Sequence, residues 1–290
     1  MRGDPFVTHR RLLFTVAYEM LGSAVDAEDV VQETWLKWKD VDQSEVRDPR
    51  AYLVRMVTRK ALDQLRTVAR RREEYVGPWL PEPLLTGLDV AEDVELADNL
   101  STAMLLVLET LTPTQRAVFV LHEVFDLGYA ELAEAVGKSE AAVRQIAHRA
   151  RRHVAERRPR GVISRADTQD ALEAFQRALT TGDLQSLVDI LAPDVVALGD
   201  GGGLKQALPR PVMGADKVAR LLAAGMATVA GSLTFEPIQV NGWPALLLRM
   251  DGEVDGVLSV RVEDALVSGI YTVRNPEKLS RIMQEAKLSR

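Results

Sequence analysis

The sequence predicts a multidomain protein: two all-α domains, the second a helix-turn-helix, followed by an α+β domain. Three observations predict it. Apolar residues recur at helical spacing across residues 6–75. Two short helical segments joined by a glycine-containing turn lie within 129–154. From about Asp167 helices give way to four strand-like runs separated by turns rich in Gly, Asp and Asn.

In the first domain, Leu12, Leu13, Val16, Ala17, Met20 and Leu21 mark one helix, with Gly22 as its stop. A second helix is expected to open at Asp26, with Glu28 and Asp29 in its first turn and an apolar stripe of Val30, Val31, Thr34, Trp35 and Trp38. Asp48-Pro49 pairs a capping residue with proline at the first helical position and opens a third helix. Leu53, Val57 and Ala61 line one face of that helix, and Arg55, Arg59, Arg66 and Arg70 line another. Read alone, such an arginine row is an ordinary solvated face.

Residues 76–110 change character. They hold seven acids and no Lys or Arg, and VGPWLPEPLLTGLD at their start is rich in proline and glycine. An acidic linker with an extended, proline-stiffened beginning is expected. Thr112-Pro113-Thr114-Gln115 then combines a capping box with proline at the first position. Helices over Tyr129–Val136 and Glu140–Val154, joined at Gly137-Lys138-Ser139, make the helix-turn-helix. In the second of these Val143, Ile146, Ala147, Ala150 and Val154 form the buried stripe. Arg144, Gln145, His148, Arg149 and Arg152 point away from it. Arg reads guanine bidentately, Gln reads adenine, and the remaining cations neutralise phosphates, so this face suits a major groove.

Bulk properties bound the rest. The 290 residues carry a net charge of −6, but the charge is sorted: residues 138–160 hold eight Lys/Arg against two Glu. There is no cysteine, which excludes disulfides and thiolate chemistry. No apolar run approaches a membrane span and MRGDPFVTHRR lacks a signal-peptide core, so a cytoplasmic protein with no membrane partner is expected. Beyond Asp167, helices are marked by Leu172, Phe175 and Leu179, by Leu184, Leu187, Val188 and Leu191 (closed by Pro193), and by Ala215–Thr228. Strands are expected at Val195–Leu198, Leu233–Val240, Ala245–Met250, Gly256–Val262 and Leu266–Val273.

The order of these parts resembles the extracytoplasmic-function sigma factors. Asp26-Ala27-Glu28-Asp29-Val30-Val31-Gln32-Glu33-Thr34-Trp35 resembles their polymerase-binding helix. Asp48-Pro49-Arg50-Ala51-Tyr52-Leu53, running into Ala61-Leu62-Asp63-Gln64-Leu65-Arg66, resembles their promoter-melting and minus-ten-reading helix. Leu111 through Val154 is similar to their minus-thirty-five-reading domain. The remainder resembles the subgroup that carries a C-terminal SnoaL-like (NTF2-like) cone domain. Its marks are Trp79-Leu80-Pro81-Glu82-Pro83-Leu84, Asp200-Gly201-Gly202-Gly203 and Asn275-Pro276-Glu277-Lys278-Leu279.

This resemblance implies four parts: residues 1–75 for polymerase binding and promoter melting, 76–110 as linker, 111–160 as the helix-turn-helix, and 161–290 as a regulatory cone. The partners implied are core RNA polymerase, met at the beta-prime clamp helices by Asp29, Gln32, Glu33 and Trp35, and promoter DNA. Arg55, Arg59, Arg66 and Arg70 become expected phosphate contacts beside the loop Val41–Asp48, and Ser139, Arg144, Gln145, His148, Arg149 and Arg152 the duplex contacts. Trp79, Leu80, Pro81, Glu82 and Pro83, Asp200 to Gly203, and Asn275, Pro276, Lys278 and Leu279 are expected to form an interdomain contact through which the cone regulates in cis. No cofactor and no metal are expected, and a small-molecule ligand of the cone stays open. An enzyme is not expected, because no histidine lies beyond residue 160 and Asp194, Asp200, Asp251 and Tyr271 form no catalytic spacing. A ligand-responsive helix-turn-helix regulator and an enzyme with a fused DNA-binding domain are the alternatives.

Overall fold

A computed structural model describes residues 4–87, 94–157, 164–229 and 231–289, with side chains except at 68–73, 94 and 95. The first domain is α1 (Pro5–Leu21), α2 (Ala24–Lys39) and α3 (Pro49–Glu73). The Asp4 side chain accepts from the Phe6 amide to start α1, and Gly22 at φ 66° ends it. Helix α2 begins two residues earlier than expected: Ser23 is its cap, accepting from the Asp26 amide, and Asp26 sits inside the first turn. Asp48 accepts from the Ala51 amide at the head of α3.

The second half of the acidic segment departs from the expected linker. Val94–Leu100 (α4) and Thr102–Glu109 (α5) are helical and bury Leu96, Leu100, Met104, Leu105 and Leu108. They join α6 (Pro113–Glu123), α7 (Tyr129–Val136) and α8 (Glu140–Ala155), whose capping box at Thr112/Gln115, turn at Gly137 and cap at Ser139 stand where the sequence puts them. One continuous apolar cluster runs through both helical domains, from Leu13 and Trp38 to Leu121, Val143 and Val154.

The third domain opens with α9 (Arg165–Thr181) and α10 (Leu184–Ile190), followed by β1 (Leu191–Asp200). Leu191 and Pro193, expected in and closing a helix, already lie in that strand. A short β2 (Val212–Met213), α11 (Ala215–Ala227), β3 (Leu233–Val240), β4 (Trp243–Met250), β5 (Glu253–Glu263), β6 (Leu266–Val273) and α12 (Pro276–Leu279) complete it. The strands form one sheet in the order β2-β1-β6-β5-β4-β3, antiparallel except where β1 runs parallel to β6.

Both faces of this sheet are buried. On β4, Leu246 and Leu248 face α9, α10 and α11 together with Leu258 and Ile270. Ala245 and Leu247 face the other way, with Val257, Tyr271 and Val273, against Leu80 and Leu85 of the linker and Ala103 and Leu106 of α5. The alternation of β-strand side chains explains why β4 reads as an unbroken apolar run: each face has its own cover. The linker also pairs with the end of β3, the Thr86 amide donating to Gln239 O (3.0 Å) and the Asn241 amide to Leu84 O (2.9 Å).

After α12 the chain returns across the linker to the first domain. The Ala286 amide donates to Leu85 O, Leu288 enters the helical core at 5% exposure, and the Ser289 amide donates to Thr15 Oγ1 (3.1 Å). Truncating a buried leucine leaves a partly relaxed cavity, so Leu288→Ala is expected to cost about 2–3 kcal/mol. Urea unfolding of the full chain measures it.

Candidate functional site

On α2 the outward face carries Asp29, Gln32, Glu33 and Trp35, all exposed, with Leu36 beside them at 57% exposure. The two tryptophans of the expected apolar stripe part company. Trp38 is buried and donates from Nε1 to Asp4 Oδ1 (3.2 Å), whereas Trp35 lies at 38% exposure with Lys39 over its ring. Helical spacing decides this: Val30, Val31, Thr34 and Trp38 hold the inner face, and Trp35 falls one residue off it. Glu33 pairs with Lys60 of α3.

The arginine row of α3 is not free. Arg55 pairs with Glu134 of α7, and Arg59 donates from Nη2 to Glu134 O (2.7 Å). Arg66 is exposed and bonds Asp63 of its own helix, and Arg70 lies outside the described side chains. The helix-turn-helix thus rests on the face expected to hold promoter DNA. Its own recognition face is open. Gln145, His148, Arg149 and Arg152 are exposed on α8, as is Arg144, which pairs with Glu140 and lies over the Tyr129 ring. Ser139 accepts from the Ala142 amide, so its oxygen caps the helix whose N-terminal turn would enter the groove.

The three motif segments around the cone meet at one carboxylate. Asp200, at 0% exposure, ends β1 and accepts from the Tyr75 hydroxyl (2.6 Å) and Gly202 amide (3.1 Å) at Oδ1, and from the Leu80 amide (2.8 Å) and Lys278 Nζ (2.6 Å) at Oδ2. Lys278 also donates to Leu80 O and lies over the rings of Trp79 (4.1 Å) and Tyr75 (4.9 Å). Asn275 caps α12, whose first residue is Pro276, and its Nδ2 donates to the Tyr75 oxygen (2.8 Å). Gly202 has φ 59°, and a Cβ there would lie 2.3 Å from Asn275 Nδ2; at Gly201 one would lie 2.0 Å from Lys205 O. Gly203 lies against Val76. Leu80, Pro81, Glu82 and Pro83 are buried, and Leu279 joins the apolar cover of the sheet.

Several residues of this seam have no mark in the sequence. Tyr75 stands just after α3 with no motif around it. Asn241, in the β3–β4 turn at φ 54°, accepts from the Leu84 amide and the Tyr18 hydroxyl at its Oδ1. Asp255 holds the glycine loop from outside by pairing with Lys205 and Arg274. Arg116 of α6 is buried, donates twice to Glu19 O of α1 (3.0 and 2.8 Å) and pairs with Glu109. Except for Arg116 with Glu109, these contacts join residues far apart in sequence, so no local pattern announces them.

Burial sets the protonation of this region. Desolvation draws the Arg116 guanidinium down to about 9 against the opposing pull of Glu19 and Tyr18. Desolvation also holds the Glu19 carboxyl well above its usual range, and among the described residues neither of its oxygens has a hydrogen-bond partner. Glu82 is raised by burial, opposed by the Ala24 and Val25 amides, and the Tyr75 hydroxyl is raised by burial and then by Asp200.

An outward acidic-aromatic helix face, a cationic third helix, a helix-turn-helix and a cone clamped on their connector define a transcription-initiation factor with a built-in C-terminal module. Sigma-70 region 2 matches residues 6–72 and Sigma-70, region 4 matches residues 101–154. The chain is 39% identical over 295 aligned residues to the ECF RNA polymerase sigma factor SigJ of Mycobacterium tuberculosis, covering 97% of this chain and 94% of that one. It is 32% identical over 280 residues to the probable ECF RNA polymerase sigma factor SigI of the same organism, covering 96% and 94%. The crystal structure of SigJ matches with a TM-score of 0.77 at 35% identity, covering 95% of this chain and 97% of that one. The protein belongs to the extracytoplasmic-function sigma factors. It directs core RNA polymerase to specific promoters and carries an α+β SnoaL-like domain after its helical domains.

Two outcomes follow from the geometry. Asp200→Ala strands Lys278 and is expected to cost about 3–5 kcal/mol, the range for removing one partner of a buried ion pair. Tyr75→Phe, which removes one donor of four, is expected to cost about 1 kcal/mol; both are read by urea unfolding. For Glu19 the folded-state pKa lies above the unfolded one, so its stabilising share is complete below the unfolded pKa, about 4.3, and lost as pH rises toward the folded value. Glu19→Gln is therefore expected to flatten the fall in stability above that pH, measured by thermal melts across a pH series.

Proposed function

We propose that the protein docks on the beta-prime clamp helices of core polymerase through Asp29, Gln32, Glu33 and Trp35, and that it reads promoter DNA only after its helical domains separate. The observation that carries this reading is the asymmetry of the two faces: the α2 surface is open, whereas Arg55 and Arg59 are engaged by α7. Elements about 25 base pairs apart lie about 85 Å apart on B-DNA at 3.4 Å per pair. Domains in contact through α3 and α7 do not span that distance. Docking on polymerase therefore precedes promoter reading, and the contact of α7 on α3 acts as the brake. Arg55, Arg59, Arg66 and Arg70 then bind the melted strand with the Val41–Asp48 loop, while Arg144, Gln145, His148, Arg149 and Arg152 bind duplex from the helix capped by Ser139.

The cone sets how firmly the closed form is held. Its contact on the linker runs through Trp79 to Pro83, Asp200 to Gly203, and Asn275, Pro276, Lys278 and Leu279. It works as a clamp and performs no catalysis: both Asp200 oxygens are taken up by structural donors, and Asp251 Oδ1 accepts from the Ser232 amide. The working units are 1–75, the proline-rich linker from 76, the helical domain that α4 to α8 build and the cone from 161, working in the cytoplasm with the polymerase they serve. Among the described residues no helix is long and apolar enough to cross a membrane.

Co-elution with core RNA polymerase tests the docking. The wild-type chain is expected to co-elute, and Asp29→Arg combined with Glu33→Arg to abolish it; retention of binding by that variant would remove the assigned face. Arg149→Ala is expected to leave co-elution intact, weaken holoenzyme binding to promoter DNA uniformly across sequences, and lower the salt slope of binding by about 1. Asp200→Asn is expected to raise promoter-dependent transcription, because the clamp on the closed form is loosened.

A further inference from the structure

The corner between α1 and α2 carries contacts that the promoter-reading assignment does not use. Its two residues, Gly22 and Ser23, bring the C-terminus of one helix and the N-terminus of the next side by side. Helix ends carry opposite partial charges and unsatisfied backbone groups, so such a corner offers adjacent seats for a cation and an anion. Both seats are filled, each from a different part of the chain. Arg116 of the helix-turn-helix domain donates through Nε and Nη2 to Glu19 O at the end of α1. Glu82 of the linker accepts from the Ala24 amide at the start of α2 (2.8 Å) and donates its own amide to Gly22 O (2.9 Å). The Tyr18 hydroxyl holds Glu82 O from below (2.6 Å).

The two seats are connected through Gly22. A Cβ at this position would lie 2.8 Å from Trp79 Cη2 and 3.4 Å from Glu109 Oε1, and φ 66° favours glycine as well. The tryptophan ring of the linker therefore lies on the bare backbone beside the carboxylate that pairs with Arg116. The Arg116 guanidinium is itself buried, so its bonds to Glu19 O and Glu109 work in a low-dielectric setting.

We propose that the α1–α2 corner is the joint through which the linker controls release of the helix-turn-helix domain, with Glu82 and Arg116 as its positioning residues. Among the described residues Glu82 makes no hydrogen bond or ion pair to α6, α7 or α8, so an effect of Glu82 on their docking has to pass through the corner. The proposal deepens the brake described above, and its readout is independent of polymerase and promoter, so failure of the docking assignment leaves it intact.

The absence of cysteine makes the test direct. Spin labels at Asp40→Cys and Glu156→Cys, both exposed, report the distance between the first domain and the helix-turn-helix domain in the full-length protein. The parent is expected to give one short distance. Glu82→Ala is expected to raise the ratio of long to short distances about fivefold, the loss typical of a removed helix cap. Arg116→Met is expected to raise it as well, and the double variant to add little to the larger single effect. Glu82→Gln keeps an oxygen for the Ala24 amide and is expected to stay closed. Circular dichroism melts confirm that each variant is folded; Glu82 lies outside both helical cores, so its variants keep the test decisive if Arg116→Met does not fold. An unchanged distance in Glu82→Ala, full additivity in the double variant, or a parent that is already open would overturn the proposal.

Discussion

The buried carboxylate of Asp200 is the constraint on which the rest of the assembly depends. A carboxylate taken out of water costs several kcal/mol unless it is paired and hydrogen-bonded. Here the four donors come from Tyr75 just after α3, Leu80 in the linker, Gly202 in its own loop and Lys278 near the C-terminus. No subset of these satisfies both oxygens as fully, so the segments are stable together and costly apart. The sheet imposes the same condition. Its second face is apolar and is covered by Leu80, Leu85, Ala103 and Leu106, so the cone without the linker would expose a row of buried strand residues. Linker, cone and tail therefore behave as one unit laid across the helical domains.

Much of the fold was legible in the sequence, because its signals are local. Capping at Asp48, Thr112 and Ser139, glycine stops at Gly22 and Gly137, and the apolar periods between them place most of the helices. Two misreadings are also physical. Asp26 looks like a cap because an acid in a first turn and a cap satisfy the same dipole, but Ser23 occupies that position. Residues 94–109 look like linker because acids dominate their composition, although Leu96, Leu100, Leu105 and Leu108 keep a helical stripe beneath it.

The site was half legible. The motif segments at 79–84, 200–203 and 275–279 do converge, and the unbroken run Ala245–Leu248 carries a sign that both faces of β4 are covered. Which segment covers them is not written locally. Tyr75, Arg116 and Asn241 act through single long-range bonds, and one tyrosine or arginine among many has no period or spacing to mark it. Even the arginine row of α3 shows the limit: its exposure was readable, its engagement by Glu134 was not.

Magnitudes decide what holds the closed form. The Arg55–Glu134 pair is partly solvated, and pairs of that kind contribute about 0–1 kcal/mol, less in salt. It covers the arginine face of α3 without securing it. The stronger grip lies at Arg116, whose desolvated guanidinium donates twice across the domains to Glu19 O of α1, while Glu109 pairs with it from its own domain. Charged hydrogen bonds in such surroundings contribute about 1.5–3 kcal/mol each relative to solvent-exposed loss. A partner shifts this equilibrium only by binding the open form more tightly than the closed one. A partner that binds the two helical domains at separate places meets that condition, and the α2 face stays exposed to it in the closed form. The division of labour follows from where water reaches: weak exposed pairs cover the α3 arginines, and buried ones set how hard they are to release.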